Sequence, residues 1–138
     1  MLAMDLLDRL RTRISSLPAV RLVALFGSTA RGEARPRSDI DLGVLLDPDT
    51  PALRREVEAE LGGAAEREID LIFLAEAPPL LRFEISSDGV LLFEKEDGLW
   101  TEFKVRAMVD WWDWAPYSRM FTAAAVRRLR ERVKHGQT

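Results

Sequence analysis

Apolar residues recur with the period of an α-helix over the first fourteen positions of the chain. Leucine or isoleucine stands at positions 2, 6, 7, 10 and 14, and charged residues lie between them. Pro18 follows closely, and a proline does not continue a helix. The pattern predicts an amphipathic helix that ends before Pro18 and packs against the rest of the protein.

Four later apolar segments have the length and composition of β-strands. They are Val20 to Phe26, Ile40 to Leu46, Arg67 to Leu74 and Val90 to Phe93. Side chains alternate between the two faces of a strand. The second segment therefore places one face on a core, formed by Ile40, Leu42, Val44 and Leu46, and turns Asp39, Asp41 and Gly43 to the other.

Helix signals separate these strands. Thr50 before Pro51 predicts an N-cap and first turn, and Gly62-Gly63 predicts the end of that helix. Pro78-Pro79 predicts the start of a short helix, and Ile85 to Gly89 ("ISSDG") predicts a turn. From Leu99 onward the pattern is helical, with a predicted break at Pro116. We therefore expect one α+β domain over residues 1–138, a mixed sheet flanked by helices with a helical C-terminal segment.

The composition narrows the class of protein. The apolar content of 47% and charged content of 31% are those of a globular protein, and a net charge of −3 argues against a general nucleic-acid binder. There is no cysteine, which excludes disulfides and thiolate metal sites. Charges in the first fourteen residues exclude a signal peptide, and no apolar run reaches the length of a membrane span. We expect a cytoplasmic protein.

Asp39 and Asp41 stand in a segment that is otherwise suited to burial. A buried carboxylate costs several kcal/mol unless it is paired or binds a metal. Two residues apart on a strand, the two side chains project together, about 6 to 7 Å from each other. If Asp70 lies at the same height on a neighbouring strand, three carboxylates converge in the oxygen-rich setting that Mg²⁺ prefers beside a phosphate. Ions held in this way assist an in-line displacement of pyrophosphate.

Gly27-Ser28, at the end of the first strand, predicts a phosphate site. Glycine allows the backbone to approach a phosphate closely, and Ser28 adds a hydroxyl and an N–H. Three arginines follow, at positions 31, 35 and 37. Arg31 is a candidate phosphate ligand or a solvated turn residue beside Glu33. We expect the side chains of the other two arginines to face solvent or a partner.

Gly27-Ser28, ten residues and then Asp39-Ile40-Asp41 reproduce the GS-x10-DxD signature of polymerase-β-like nucleotidyltransferases. The segment "GSTARGEARPRSDIDL" resembles the minimal nucleotidyltransferases in particular. Asp70, in "EIDLIFL", stands where the family has its third carboxylate. The resemblance implies the polymerase-β-like fold, ATP as nucleotide donor and Mg²⁺ as cofactor.

The C-terminal third, with "LLRFEISSDGVLLFE" and "FKVRAMVDWWDWAP", resembles the tail of MntA-type antitoxins, which are encoded with a HEPN-domain toxin. The resemblance implies transfer of AMP from ATP to a tyrosine of the toxin, which silences its RNase activity, and an oligomeric toxin–antitoxin complex. The Trp-rich tail departs from the commoner Leu/Tyr pattern of these antitoxins.

Two other functions stay open. A small-molecule adenylyltransferase would work as a homodimer and need no protein partner. A non-catalytic module would only block a toxin, although the intact carboxylate set argues against a degenerate site. Of Trp111, Trp112 and Trp114, at least one is expected in the core and another at an interface. The basic segment Arg127 to His135 fits a solvated helix face or a basic arm for a toxin or its RNA, and stable nucleic-acid binding is not expected.

Overall fold

The computed structural model describes residues 4–27, 40–66, 68–118 and 123–134. In chain order its elements are α1 (Met4–Ser15), β1 (Val20–Leu25), β2 (Ile40–Leu46), α2 (Pro51–Ala65), β3 (Ile69–Phe73), α3 (Pro79–Asp88), β4 (Val90–Glu94), α4 (Leu99–Ser118) and α5 (Ala123–Lys134). No helix in the described ranges combines the length and apolar character that crossing a membrane requires.

The four strands form one mixed sheet in the order β3-β2-β1-β4. β1 runs antiparallel to both β2 and β4, while β2 and β3 are parallel. A parallel pair needs a crossover connection, and α2 supplies it. The predicted α+β fold with a mixed sheet flanked by helices is confirmed.

One face of the sheet packs against α1 and α2. The predicted inward face of β2 is confirmed, because its four apolar residues share one buried cluster with Leu10 and Ile14 of α1 and Leu61 of α2. Each side chain buried in this way stabilises the fold by about 1.5 to 3 kcal/mol. The amphipathic pattern of the first helix is thereby explained, since its apolar stripe covers this side of the sheet.

The opposite face packs against the later helices. Its buried cluster includes Leu74, Leu81 and Ile85, and partly buried side chains from α4 and α5 pack against it. Gly43 of β2 lies on this face, and a Cβ atom there would come within 2.9 Å of Leu74 Cδ2 and 3.7 Å of Ile85 Cδ1. The absence of a side chain at Gly43 therefore allows Leu74 and α3 to pack closely on the sheet.

The start of α2 is as predicted, but its end is not. Thr50 is the N-cap, with its hydroxyl accepting a hydrogen bond from the Leu53 N–H at 3.2 Å, and Pro51 begins the helix. The helix continues through Gly62-Gly63 to Ala65, and Glu66 caps it at φ 55°. The predicted stop at the glycines was wrong because burial of Leu61, Ala64 and Ala65 extends the helix past them.

Two other predicted breaks also lie inside helices. The "ISSDG" segment is the last turn of α3, since burial of Ile85 holds the helix to Asp88 and Gly89 only closes it, donating its N–H to Ile85 O at 2.8 Å. The helix α4 continues through Pro116 to Ser118. A proline inside a helix removes one backbone donor and favours a kink, but Pro116 lies only two residues before the end of α4, where little helix follows it.

Replacing Gly43 with alanine should destabilise the protein by about 1–3 kcal/mol, because the new methyl group crowds Leu74 in a closely packed layer. Gly63→Ala is the matched control. Nothing lies within 4 Å of a Cβ at Gly63, and alanine favours a helix by about 0.5–1 kcal/mol over glycine. Urea denaturation of both variants tests the difference, and equal stabilities would contradict the close packing at Gly43.

Candidate active site

The strand β2 carries Asp41 into the interior of the protein. Asp41 is 3% exposed, and its strand neighbours Ile40 and Leu42 are fully buried. It is the one buried polar or charged residue within the described ranges. A carboxylate in this position costs free energy unless hydrogen bonds, an opposite charge or a cation compensates it, which makes Asp41 a candidate for the chemistry of the site.

Asp70 lies directly beside Asp41. The two residues are register partners on the parallel strands β2 and β3, which lie about 4.8 Å apart in a sheet. Asp70 is half-buried, so the pair extends from the interior toward solvent. The structure thus brings together two of the three carboxylates that the sequence analysis selected.

Gly27, which follows the end of β1, lies against the Asp41 side chain. The Phe26 N–H donates a hydrogen bond to the backbone carbonyl of Asp41 at 3.0 Å, which ties the strand end to β2. Gly27 then adopts φ +66°, and a Cβ atom at this position would lie 2.5 Å from Asp41 Oδ2. Glycine is required here twice over, for the positive φ and for the close approach of the carboxylate.

The remaining predicted site residues lie outside the described residues. They are Ser28, Arg31 and Asp39, together with the neighbouring arginines at positions 35 and 37. What the structure describes is therefore one edge of the candidate site, formed by Gly27, Asp41 and Asp70.

The donor chemistry of this edge fits a divalent cation. Carboxylate oxygens are the ligands that Mg²⁺ prefers, and two adjacent carboxylates favour a cation between them by their charge. Within the described ranges, no group of three or more His, Cys, Asp or Glu side chains is placed to hold a metal ion. Asp41 and Asp70 would contribute two donor groups, and the third predicted ligand is Asp39.

A second charged cluster lies further along β3 and is structural. Arg54 pairs with Asp49 at 2.5 and 2.9 Å and with Glu76 at 2.6 Å, and its guanidinium lies 4.7 Å from the centre of the Phe73 ring. The hydrogen bonds to Asp49 raise the pKa of Arg54 further above its usual value. This arginine links the start of α2 to the end of β3, and it is not among the residues predicted from the sequence.

A cavity of about 390 Å³ lies at the opposite end of β2. Its lining includes Leu46, Arg82 and Phe103 and neither of the two aspartates. The cavity is therefore separate from the carboxylate pair.

The chain matches the family model described as "Polymerase beta, Nucleotidyltransferase" over residues 9–98. It belongs to the nucleotidyltransferase family. The match runs from α1 to the loop after β4 and includes all three candidate carboxylates. The resemblance stated from the GS-x10-DxD signature is confirmed.

Among curated proteins, the chain is similar to the protein adenylyltransferase MntA of Shewanella oneidensis, with 30% identity over 79 residues. The alignment covers 56% of this chain and 57% of that relative, so it spans less than two thirds of either.

Two solved structures have a similar fold. One is the crystal structure of a toxin–antitoxin with AMP-PNP, at TM-score 0.71 and 23% identity, covering 83% of this chain and 93% of that one. The other is the tri-AMPylated HEPN toxin of Shewanella oneidensis in complex with the MNT antitoxin, at TM-score 0.66 and 21% identity, covering 83% and 91%.

Replacing Asp41 with asparagine should leave the metal-free protein as stable as the wild type or up to about 1 kcal/mol more stable, because like charges at register positions repel. Asp110→Asn is the control, since it removes the partner that Arg82 contacts at 3.0 Å and should cost about 1 kcal/mol. Urea denaturation without metal measures both. A marked loss of stability in Asp41→Asn would show that this carboxylate is structural.

Proposed function

We propose that the protein transfers AMP from ATP to a tyrosine of a HEPN-domain toxin and thereby acts as its antitoxin. The observation that carries the proposal is the register pairing of buried Asp41 with Asp70 beneath Gly27, in a chain of the nucleotidyltransferase family. We place the reaction in the cytoplasm.

The carboxylates Asp39, Asp41 and Asp70 would hold Mg²⁺, which when bound neutralises charge on the triphosphate. Asp70, the more exposed of the two described carboxylates, faces the acceptor and takes the proton from its hydroxyl. The hydroxyl oxygen forms a bond to the α-phosphorus, and the bond from that phosphorus to the bridging oxygen breaks. Pyrophosphate leaves, and AMP stays on the acceptor.

Gly27, Ser28 and Arg31 would bind the triphosphate. The closeness of Gly27 to Asp41 supports this role, because it places backbone next to the carboxylate that holds the phosphates through the cation. Ser28 follows directly and contributes its hydroxyl and N–H, and Arg31 contributes positive charge. The nucleotide would therefore lie between the end of β1 and the β2–β3 pair.

The choice of a protein acceptor rests on the relatives. MntA of Shewanella oneidensis is a protein adenylyltransferase, and one structure with the same fold pairs an AMPylated HEPN toxin with its MNT antitoxin. The residues that follow the family match, 99–138, are helical where the structure describes them, and their "FKVRAMVDWWDWAP" segment resembles the antitoxin tail.

Incubation with a HEPN-domain partner, ATP and Mg²⁺ should add whole adenylyl groups to the partner and abolish its RNase activity. Intact-mass spectrometry and an RNA cleavage assay measure the two effects. The double variant Asp39→Asn/Asp41→Asn should do neither, even where it still binds. A control that changes two exposed aspartates of α1, Asp5→Asn/Asp8→Asn, should keep full activity.

Two results would overturn the proposal. Equal neutralisation of the toxin by the Asp39→Asn/Asp41→Asn variant without ATP would indicate a module that only blocks its partner. Transfer of AMP to a small molecule such as an aminoglycoside, with no label on the partner, would indicate a small-molecule adenylyltransferase.

Gly27→Ala should reduce kcat/KM for AMP transfer by about 10- to 100-fold, because the new methyl group displaces the Asp41 carboxylate. Gly98→Ala is the matched control. Gly98 also has a positive φ, +97°, but nothing lies within 4 Å of a Cβ there. Both variants should lose about 1–3 kcal/mol of stability from backbone strain, whereas only Gly27→Ala should lose activity. Equal activities would show that Gly27 serves only the turn.

A further inference from the structure

Glu68 directly precedes β3 and takes part in the parallel ladder that joins this strand to β2. Its backbone carbonyl accepts a hydrogen bond from the Ile40 N–H at 3.1 Å. In the same ladder Ile40 pairs with Ile69, and Asp41 pairs with Asp70. Glu68 therefore lies one residue before the paired segment, at the same end of the sheet as the two aspartates.

Glu68 and Asp70 belong to the same face of the sheet, because side chains alternate along a strand. Three residues of β3 pack in the cluster that α1 and α2 cover, namely Ile69, Leu71 and Phe73. Ile72 belongs to the buried cluster on the opposite face. Alternation places Glu68 and Asp70 on the face of Ile72, and the register pairing of Asp41 with Asp70 places Asp41 there too.

The exposure of this face rises toward the start of β3. Ile72 is 2% exposed, Asp70 is half-buried and Glu68 is exposed. Neighbouring side chains on one face of a strand lie about 6 to 7 Å apart. Glu68 is therefore the carboxylate next to Asp70 on the side that is open to a large acceptor.

The Glu68 carboxylate has neither a hydrogen bond nor an ion pair with another residue that the structure describes. It also does not combine with Asp41 and Asp70 into a group that could hold a metal ion, since no such group of three occurs among the described residues. The charge of Glu68 is therefore available to a binding partner and is separate from the candidate metal ligands.

The strand order separates Glu68 from the proposed triphosphate site. Gly27 follows β1, and β3 lies two strands away, at a distance of about 10 Å across the sheet. A triphosphate beside Glu68 would be repelled by its negative charge, whereas a cation would be attracted. Glu68 therefore lies on the acceptor side of the site, where Asp70 faces the hydroxyl that receives AMP.

We propose that Glu68 selects an acceptor that carries a lysine or arginine side chain next to the hydroxyl that receives AMP. The Glu68 carboxylate accepts hydrogen bonds from that basic group. The contact holds the neighbouring hydroxyl at Asp70, about 6 to 7 Å away along the strand. This inference rests on the proposed function and adds the local charge of the acceptor to it.

Steady-state kinetics of AMP transfer to the HEPN-domain partner test this role with the full chain. Glu68→Gln should raise the KM for the partner about fivefold and Glu68→Lys about 20-fold, while the KM for ATP stays within about twofold of the wild type. Glu68→Asp keeps the charge and should stay within about twofold for both substrates. Added salt should lower kcat/KM for the partner more in the wild type than in Glu68→Gln.

Glu58→Gln is the matched control. It removes the same charge from an exposed side chain of α2, and Glu58 has no ion pair with another described residue. Both KM values of this variant should equal those of the wild type. Far-ultraviolet circular dichroism checks that all variants are folded.

A charge swap between the two proteins tests the contact itself. Tandem mass spectrometry locates the modified residue of the partner, and the lysine or arginine nearest to it is then replaced with glutamate. This change should lower kcat/KM about 20-fold with the wild type, because it places two carboxylates together. With Glu68→Lys, the same altered partner should be modified to within about threefold of the unaltered pair.

The outcomes separate this inference from the proposed function. A wild type that transfers no AMP to the partner overturns both. An active wild type whose KM for the partner is unchanged in Glu68→Gln, or raised equally in Glu58→Gln, overturns the role of Glu68 alone. So does a modified residue with no lysine or arginine beside it, a charge swap without rescue, or a rise confined to the KM for ATP, which would assign Glu68 to the nucleotide.

Discussion

Burial of the Asp41 carboxylate beside Asp70 is the constraint around which the rest of this structure is arranged. Two like charges on neighbouring strands repel, and one of them is almost entirely removed from water. The surrounding fold offsets this cost, because β2 lies between β1 and β3 and the apolar residues of its inward face, Ile40, Leu42, Val44 and Leu46, are buried. A cation held between the two carboxylates would offset their repulsion and thereby stabilise the folded protein.

Two glycines make this arrangement sterically possible. Gly27 leaves room for the Asp41 carboxylate, and Gly43, two residues further along β2 on the same face, leaves room for Leu74 beneath α3. The face of β2 that carries the chemistry is therefore polar at one end and closely packed at the other. The opposite face is apolar along its whole length and rests on α1 and α2, so the strand is anchored from one side while it presents Asp41 on the other.

The alternation of side chains predicted the inward face of β2, and the Thr50-Pro51 pair predicted the start of α2, because both signals are local. The register of β2 with β3 is not local. Nothing in the spacing of Asp41 and Asp70 fixes which residues lie opposite each other, so the sequence predicts their proximity only if the two strands are neighbours in this register. The predicted ends of the helices were wrong for a related reason. Glycines and a proline weaken a helix by amounts that tertiary burial overrides, as at Leu61 and Ile85.

The environments of the tryptophans near the end of α4 also depend on tertiary packing, which the sequence does not reveal. Periodicity indicated that Trp111, Trp112 and Trp114 could not all face one way, but only the packing of α4 on α3 shows where Trp111 and Trp112 lie. Trp111 stacks on Phe83 and fixes the rotation of the helix, and that rotation turns Trp112 outward with Val105, Met108 and Val109. An aromatic contact on the inner side of α4 therefore creates the apolar surface on its outer side.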